Sequence, residues 1–293
     1  MLTIDPAETP QKDLHQFMLG TVAPRPIAFV STVDDEGRPN LAPYSFFNAF
    51  SSNPPIVVFS SNRRGTNNTT KDTLENIRGM KECVINAVNY NIVRQMAVAS
   101  VEFPTGVSEF EKTGLTPVAS DLVKPPRVGE SPAAMECVVQ DIITLGDKGG
   151  AGHLIICRVV RMHVAKEVLG ERNRIDPHKM DLMGRMGRAF YVRCSGQAIH
   201  TIVQDYLPVT IGYDALPEFI RSSSILTGND LGKLAGMVAL PQENVVETMR
   251  KDEEVKAALA HQHPKDALHY LAKQFLDREE VEKGFAILMA HTD

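Results

Sequence analysis

Apolar residues fall along this chain in two rhythms. Up to about residue 208 they come in short runs of strand-forming side chains, cut by turn residues. "PIAFVSTV" (26–33) reads as a buried strand, and "DDEGRP" (34–39) as a turn in which Gly37 can take a positive φ. "NLAPYSFFNAF" (40–50) reads as a second strand that completes a hairpin, and "PIVVFSS" (55–61) as a third. A polar loop follows, "NRRGTNNTT". Leu74, Ile77 and Met80 then recur at three-residue spacing, which predicts a helix over about 73–81. "DTLE" supplies its start, with Asp72 as N-cap and Glu75 three residues on, as in a capping box. "CVINAVN" (83–89) predicts a strand and "NIVRQMAVAS" (91–100) a short helix. Residues 101–132 are rich in proline and read as irregular. "MECVVQDIITL" (135–145) and "HLIICRVVRMHVAK" (153–166) are strands joined by the glycine-rich "GDKGGAG". Residues 170–188 read as polar and irregular, and "AFYVRCSG" (189–196) as a last strand.

After Pro208 the rhythm turns helical. Pro241 and Pro264 each read as standing just inside a helix start, where proline is tolerated. Residues 241–260 and 264–290 are expected to form two helices. The organisation expected is a strand-rich body over 1–208 and a helical extension over 209–293. The extension should pack on the body or on a partner subunit, because Leu268, Phe275 and Leu288 would otherwise stay wet.

Composition narrows the function. A net charge of −5 and a pI near 6.0 argue against a general nucleic-acid-binding face. No apolar stretch approaches the ~18 residues of a membrane span. The opening "MLTIDPAETPQKDL" carries Asp5 and Glu8 and lacks an apolar core, so it does not read as a signal peptide. The four cysteines form no CxxC pair, which suits reduced thiols in a cytoplasmic protein.

Familiar chemical motifs are missing: no GxGxxG follows a strand, and there is no GxxxxGK[ST], HExxH or GxSxG. No metal ligand set stands out, since His261 and His263 in "HQHP" read as solvated residues between helices. "TTKDTLENI" is the sharpest local feature. A helix N-terminus presents free N–H groups and positive dipole charge, so it suits an anion such as phosphate. Lys71 and Thr73 stand beside it. From this motif alone, an ordinary capped surface helix with a solvated lysine is the simpler account. His153 opens a strand after the glycine loop, at a sheet rim where ligands often sit.

The order of the segments says more than any one of them. "APRPIAFVSTVDDEGRPNLAPYSFFNAFSSNPPIVVFSS", then "KDTLENI", "CVINAV" and "GHLIICRVV", resembles the flavin reductase-like family of FMN-binding split barrels over roughly residues 15–205. That family includes flavoredoxins and the reductase components of two-component monooxygenases. The resemblance implies a mainly β fold, a Greek-key split β-barrel with peripheral helices, to which this chain adds its helical C-terminal extension. It implies that Pro43, Tyr44, Ser45, Phe46 and Phe47 lie along a flavin, and that Ser60, Asn62, Lys71, Asp72 and Thr73 surround the FMN phosphate. Arg25 is expected near the flavin. His153 is expected to orient the nicotinamide or donate a hydrogen bond near the ring, although Gly152 stands where the family pattern has an acidic residue. The function implied is NAD(P)H-dependent reduction of FMN by hydride transfer to flavin N5, in a homodimer that serves a downstream monooxygenase or electron-acceptor protein. Two other readings stay open here: a flavoredoxin-like electron carrier with tightly held FMN, and a non-catalytic flavin-binding module.

Overall fold

The computed structural model describes residues 1–202 and 209–291. The boundary expected at Pro208 lies outside the described residues. The chain divides into two compact units, Met1–His200 and Thr201–Asp293.

The first unit holds strands β1 (Ala28–Val33), β2 (Pro39–Tyr44), β3 (Phe47–Ser52), β4 (Pro55–Ser60), β5 (Glu82–Asn86), β6 (Pro117–Val118), β7 (Arg127–Val128), β8 (Ala133–Thr144), β9 (His153–Val164), β10 (Leu182–Gly187) and β11 (Phe190–Cys194). Its helices are α1 (Gln11–Thr21), α2 (Asp72–Met80), α3 (Val93–Val98), α4 (Glu109–Thr113) and α5 (Pro177–Met180). Seven strands form one antiparallel sheet in the order β2-β1-β5-β8-β9-β4-β3. β10 with β11, and β6 with β7, make two small ladders.

The second strand expected over 40–50 is in fact two. β2 pairs with β1 and β3 pairs with β4, so they lie at opposite edges of the seven-stranded order. Only Ser45 and Phe46 connect them. A two-residue link can join the two edges only if the sheet curls until they approach each other. The Phe46 carbonyl accepts a hydrogen bond from the Ser60 amide at 2.8 Å and fixes the corner.

β1 shows why the central strands read as continuous apolar runs. All six of its residues are buried. Ala28 and Val30 face the barrel core with Tyr44, Phe59, Leu74, Ile77 and Ile155. Phe29 belongs to a second cluster, with Val93 and Met96 of α3 and Phe110 of α4. A strand covered on both faces cannot alternate polar with apolar residues. Cys83, Cys137 and Cys157 are free and buried in the barrel core.

The turn expected at 34–39 forms, with Gly37 at φ +80° and the Asp34 carboxylate accepting from the Glu36 and Arg38 amides. Residues 170–188 are more ordered than expected: α5 and β10 lie there, and β10 is held by β11 on one side and by a bridge from Arg25 to Arg185. At the other end of the barrel, the buried carboxylate of Glu136 accepts from the Asp121 and Leu122 amides and from His163 Nε2, at 2.8, 2.6 and 2.6 Å. Burial alone would raise the acid's pKa, but these bonds outweigh it and hold the group below its ordinary value.

The second unit holds α6 (Glu218–Arg221), α7 (Gly228–Ala235), α8 (Glu243–Arg250), α9 (Glu253–Leu259), α10 (Pro264–Asp277) and α11 (Val281–Met289). Each of the two helices expected there divides in two. Asp252 ends one segment and caps the next, accepting from the Glu254 and Val255 amides. Glu279, at φ +64°, breaks the other. Pro264 stands in the first turn of α10 as expected, but α8 begins at Glu243, two residues beyond Pro241. The unit's core joins Leu216, Ile220, Leu234, Val246, Val255, Leu268, Leu276 and Phe285. No helix of the described residues is long and apolar enough to cross a membrane.

Candidate functional site

α2 is placed by its apolar stripe. Leu74 and Ile77 are fully buried in the barrel core, which fixes the helix's first turn beside β2. Asp72 is not the N-cap. The helix begins at Asp72 itself, Lys71 takes the extended cap position, and no side chain caps the end. Asp72, as the first helical residue, accepts from Thr105 Oγ1 at 3.3 Å and not from the helix's own amides. The uncapped end leaves first-turn N–H groups for another acceptor.

Lys71, Tyr44 and Thr73 come together at this end. Lys71 Nζ lies 5.0 Å from the centroid of the Tyr44 ring. Thr73 Oγ1 accepts from Asn40 Nδ2 at 2.8 Å, a contact the sequence did not flag. Lys71 makes no ion pair among the described residues. Burial first, then the Arg64 charge, lower its pKa, with Glu102 opposing. Arg64 is itself tied to Glu102, Thr69 and the Thr70 carbonyl. Lys71 is thus a partly desolvated cation that feels the Glu102 carboxylate but makes no ion pair with it.

Three buried polar atoms nearby have no hydrogen-bond partner among the described residues: Tyr44 Oη, Ser61 Oγ and His153 Nε2. Burial pushes the Tyr44 hydroxyl up to about 12, and the neighbouring Thr73 and Ser61 hydroxyls oppose this without meeting it in good bonding geometry. Ser61 and His153 exchange backbone hydrogen bonds at 3.1 and 3.2 Å. Ser61 was missed in the sequence because nothing but its place beside Ser60 marks it. Buried polar atoms left unpaired are rare in folded proteins. Here they gather around one uncapped helix end and one unpaired lysine.

Ser60 Oγ donates to Asn62 Oδ1 at 2.8 Å, and Asn62 Nδ2 donates to the Gly150 carbonyl at 3.1 Å. This packing explains Gly152. A Cβ there would lie 2.6 Å from Ser60 Oγ, so an acidic residue does not fit without displacing the serine.

The other expected residues divide between corner and core. Pro43 and Ser45 are half-buried at the corner, and the Ser45 hydroxyl makes no hydrogen bond among the described residues. Tyr44 stacks at a tilt on Phe59, with ring centroids 5.1 Å apart, and Phe47 packs on the barrel core. Phe46 meets a different set of residues. Its ring meets His15 edge-on at 6.3 Å and the Arg25 guanidinium at 5.9 Å. Arg25 is buried and donates to the Leu19 carbonyl at 2.7 Å and to the Val22 carbonyl. It clamps the C-terminal end of α1, so at least part of its role is structural.

Residues 19–180 match the family described as flavin reductase like domain. The chain belongs to the flavin reductase-like family. Among solved structures, it resembles nitrilotriacetate monooxygenase component B from Bacillus cereus at 35% identity and a TM-score of 0.63, over 67% of this chain and 97% of that one. It resembles the 2-nitrobenzoate 2-nitroreductase NbaA of Pseudomonas fluorescens at 29% identity and a TM-score of 0.61, over 71% and 98%. A split-barrel-domain protein from Shewanella frigidimarina NCIMB 400 shares the fold at 22% identity and a TM-score of 0.59, over 69% and 100%. As a flavin reductase-like protein, the chain is a flavin-associated oxidoreductase with a split-barrel fold.

The surroundings of His153 disfavour its charged form. His153 Nδ1 shares a 3.0 Å hydrogen bond with Thr144 Oγ1. Burial, then the charges of Arg78 and Arg63, hold its pKa below the ordinary 6.5, with Glu75 opposing. The unfolded chain therefore binds a proton where the folded one does not. Stability contributed by the neutral imidazole is present above pH 6.5 and is lost as pH falls through the lower, folded-state value. Denaturant midpoints of the flavin-free protein should drop as pH is lowered from 7 to 5, and the drop should be smaller in His153→Asn. His269, in the helical unit, is shifted in the same direction, so the difference between wild type and variant isolates His153.

Proposed function

We propose that this chain is an NAD(P)H-dependent FMN reductase whose phosphate pocket is the uncapped start of α2. The observation that carries this reading is the gathering of Lys71, Tyr44 Oη, Ser61 Oγ and His153 Nε2 about that helix end. A phosphomonoester offers several acceptor oxygens and about −1.5 to −2 charge at neutral pH. That is the complement of a lysine without an ion pair, free helix amides and unpaired hydroxyls.

When bound, the flavin supplies the redox chemistry, accepting a hydride at N5 from the reduced nicotinamide. The protein binds, orients and shields. Lys71 and the α2 amides hold the phosphate. Ser45 and the peptide groups of the 43–47 corner offer hydrogen bonds to the polar edge of the ring. No side chain is required to pass a proton in the hydride step. His153 acts as a neutral hydrogen-bonding group and not as a charged one. The reduced product is then available to a separate monooxygenase or other acceptor.

Two measurements test the reading. Titration should show FMN binding more tightly than riboflavin, since riboflavin lacks the phosphate. Equal affinities would remove the pocket from α2. Oxidation of NADH or NADPH by the purified protein should depend on added or retained FMN. If neither donor is consumed, the chain is a carrier or binding module and not a reductase.

A further inference from the structure

Arg64 stands beside the start of α2, and its charge is occupied. The loop that carries it folds back on itself, with the Arg64 amide donating to the Thr69 carbonyl at 2.8 Å. Its guanidinium donates to Thr69 Oγ1 at 3.0 Å and to the Thr70 carbonyl, just ahead of the helix. Its Nε meets the Glu102 carboxylate in an ion pair. The segment that carries Glu102 is fastened to the same helix end, where Thr105 Oγ1 donates to the Asp72 carboxylate at 3.3 Å.

Both charges are felt in the proposed phosphate pocket. Arg64 acts on the Lys71 ammonium and on the Tyr44 hydroxyl, and Glu102 acts on Lys71 in the opposite sense. Other charged groups nearby are settled among themselves. Glu75 pairs with Arg78 at 2.9 Å, and Arg63 donates to Asn68 Oδ1 at 2.7 Å. Glu102 is different, because its carboxylate offsets the two cations that a phosphate at α2 would meet.

The Arg64–Glu102 pair does little for the fold. The Glu102 side chain is 62% exposed, and an ion pair open to water adds little net stability. Its electrostatic effect on a ligand is larger. A phosphomonoester carries about −1.5 to −2 charge at neutral pH, so a nearby carboxylate repels it more strongly than it would a singly charged anion. The same carboxylate lowers the field of Arg64 at the site. Riboflavin, without a phosphate, escapes both effects.

We propose that Glu102 is an internal competitor of the flavin phosphate: it engages Arg64 and opposes the incoming anion, so that FMN binds reversibly and leaves after reduction. The proposal rests on the phosphate pocket at the start of α2 and adds to it a residue that weakens binding. A flavin whose reduced form serves a separate acceptor has to depart, and a pocket with two unopposed cations would retain it longer.

The test is Glu102→Gln, which removes the charge and keeps the length of the side chain and its carbonyl for Arg64. Isothermal titration should show FMN bound roughly three- to tenfold more tightly than by wild type, as expected for partly screened charges several ångströms apart. Riboflavin carries no charge there, so its affinity should change less than about twofold. The gain for FMN should fall below about twofold as salt is raised from ~0.1 M to ~1 M, where the Debye length shrinks from about 10 Å to about 3 Å. A merely structural role for Glu102 would weaken the binding of both flavins and tighten neither. If wild type prefers FMN to riboflavin but the variant binds FMN no more tightly, Glu102 is no competitor and the phosphate pocket stands without it. A gain that high salt leaves intact, or an equal gain for riboflavin, also overturns the proposal, since the change then acts through the shape of the site. If wild type binds both flavins equally, the phosphate pocket is absent and the competitor falls with it.

Discussion

Replacing Lys71 by methionine is expected to weaken FMN binding roughly ten- to a hundredfold while riboflavin binding barely changes. A hydrogen bond to a charged group contributes about 1.5–3 kcal/mol, and each ~1.4 kcal/mol is a factor of ten in affinity. Lys71 should reach the upper part of that range. The residue is half-buried, and it makes no ion pair among the described residues, the Glu102 carboxylate acting on it only at longer range, so pairing with phosphate replaces little that it already has. The fold should tolerate the change. Lys71 caps α2 through its backbone alone, and its side chain makes no capping hydrogen bond. Methionine also keeps the apolar stem against the Tyr44 ring. Titrating both flavins into wild type and variant is the check. Equal losses for the two ligands would show that Lys71 supports the corner as a whole, and an unchanged FMN affinity would make it a bystander.

Phe285→Ala is expected to cost about 3–5 kcal/mol, the range for emptying an aromatic site in a packed core. Phe285 is fully buried in α11, and its neighbour Gly284 packs so closely on α10 that a Cβ there would lie 3.0 Å from Leu276 Cδ2. Such a contact leaves little room for collapse into the space left behind. The cluster that Phe285 joins draws on residues of the helical unit throughout. For a domain of that size, 1 kcal/mol moves the melting temperature by roughly 4–8 °C. The helical unit should therefore melt at least about 12 °C lower, as a separate transition, with FMN binding retained below it. A single transition that carries flavin affinity down with it would show that the two units fold as one.

Much of the barrel can be read from the chain because its strands are short apolar runs bounded by turn residues. The start of α2 and the glycine-rich loop are equally visible. What cannot be read is where the runs break. "NLAPYSFFNAF" has one unbroken strand-like composition, yet the partners of its halves, β1 and β4, are set by the closure of the whole sheet. The start of α2 was placed one residue late because aspartate is the better N-cap by side chain, whereas this end is left uncapped. α1 escaped because it buries nothing, so its apolar residues trace no clear stripe. β10, "LMGRMG", carries two glycines and little strand propensity, and it exists through its pairing with β11 and its bridge to Arg25. The polar cluster at the start of α2 was partly legible. Lys71 and Thr73 lie in one motif, while Asn40 and Ser61 reach it from distant points in the chain.

The corner at Ser45–Phe46 leaves the sheet with two rims of different kinds. On β2 the Leu41 amide is occupied by the buried Glu109 carboxylate at 2.9 Å. β3 has no such cover among the described residues, and five of its six residues are exposed. An open strand of this sort is a template on which a foreign strand can grow, the usual first step toward fibrous aggregates. Here the template is spoiled from within. Its ladder with β4 slips out of register between Ala49 and Ser51, and two prolines with no N–H to donate follow at 54 and 55. A strand arriving at that rim would find a bend where it needs a straight edge, so the chain that leaves the corner also discourages runaway sheet growth.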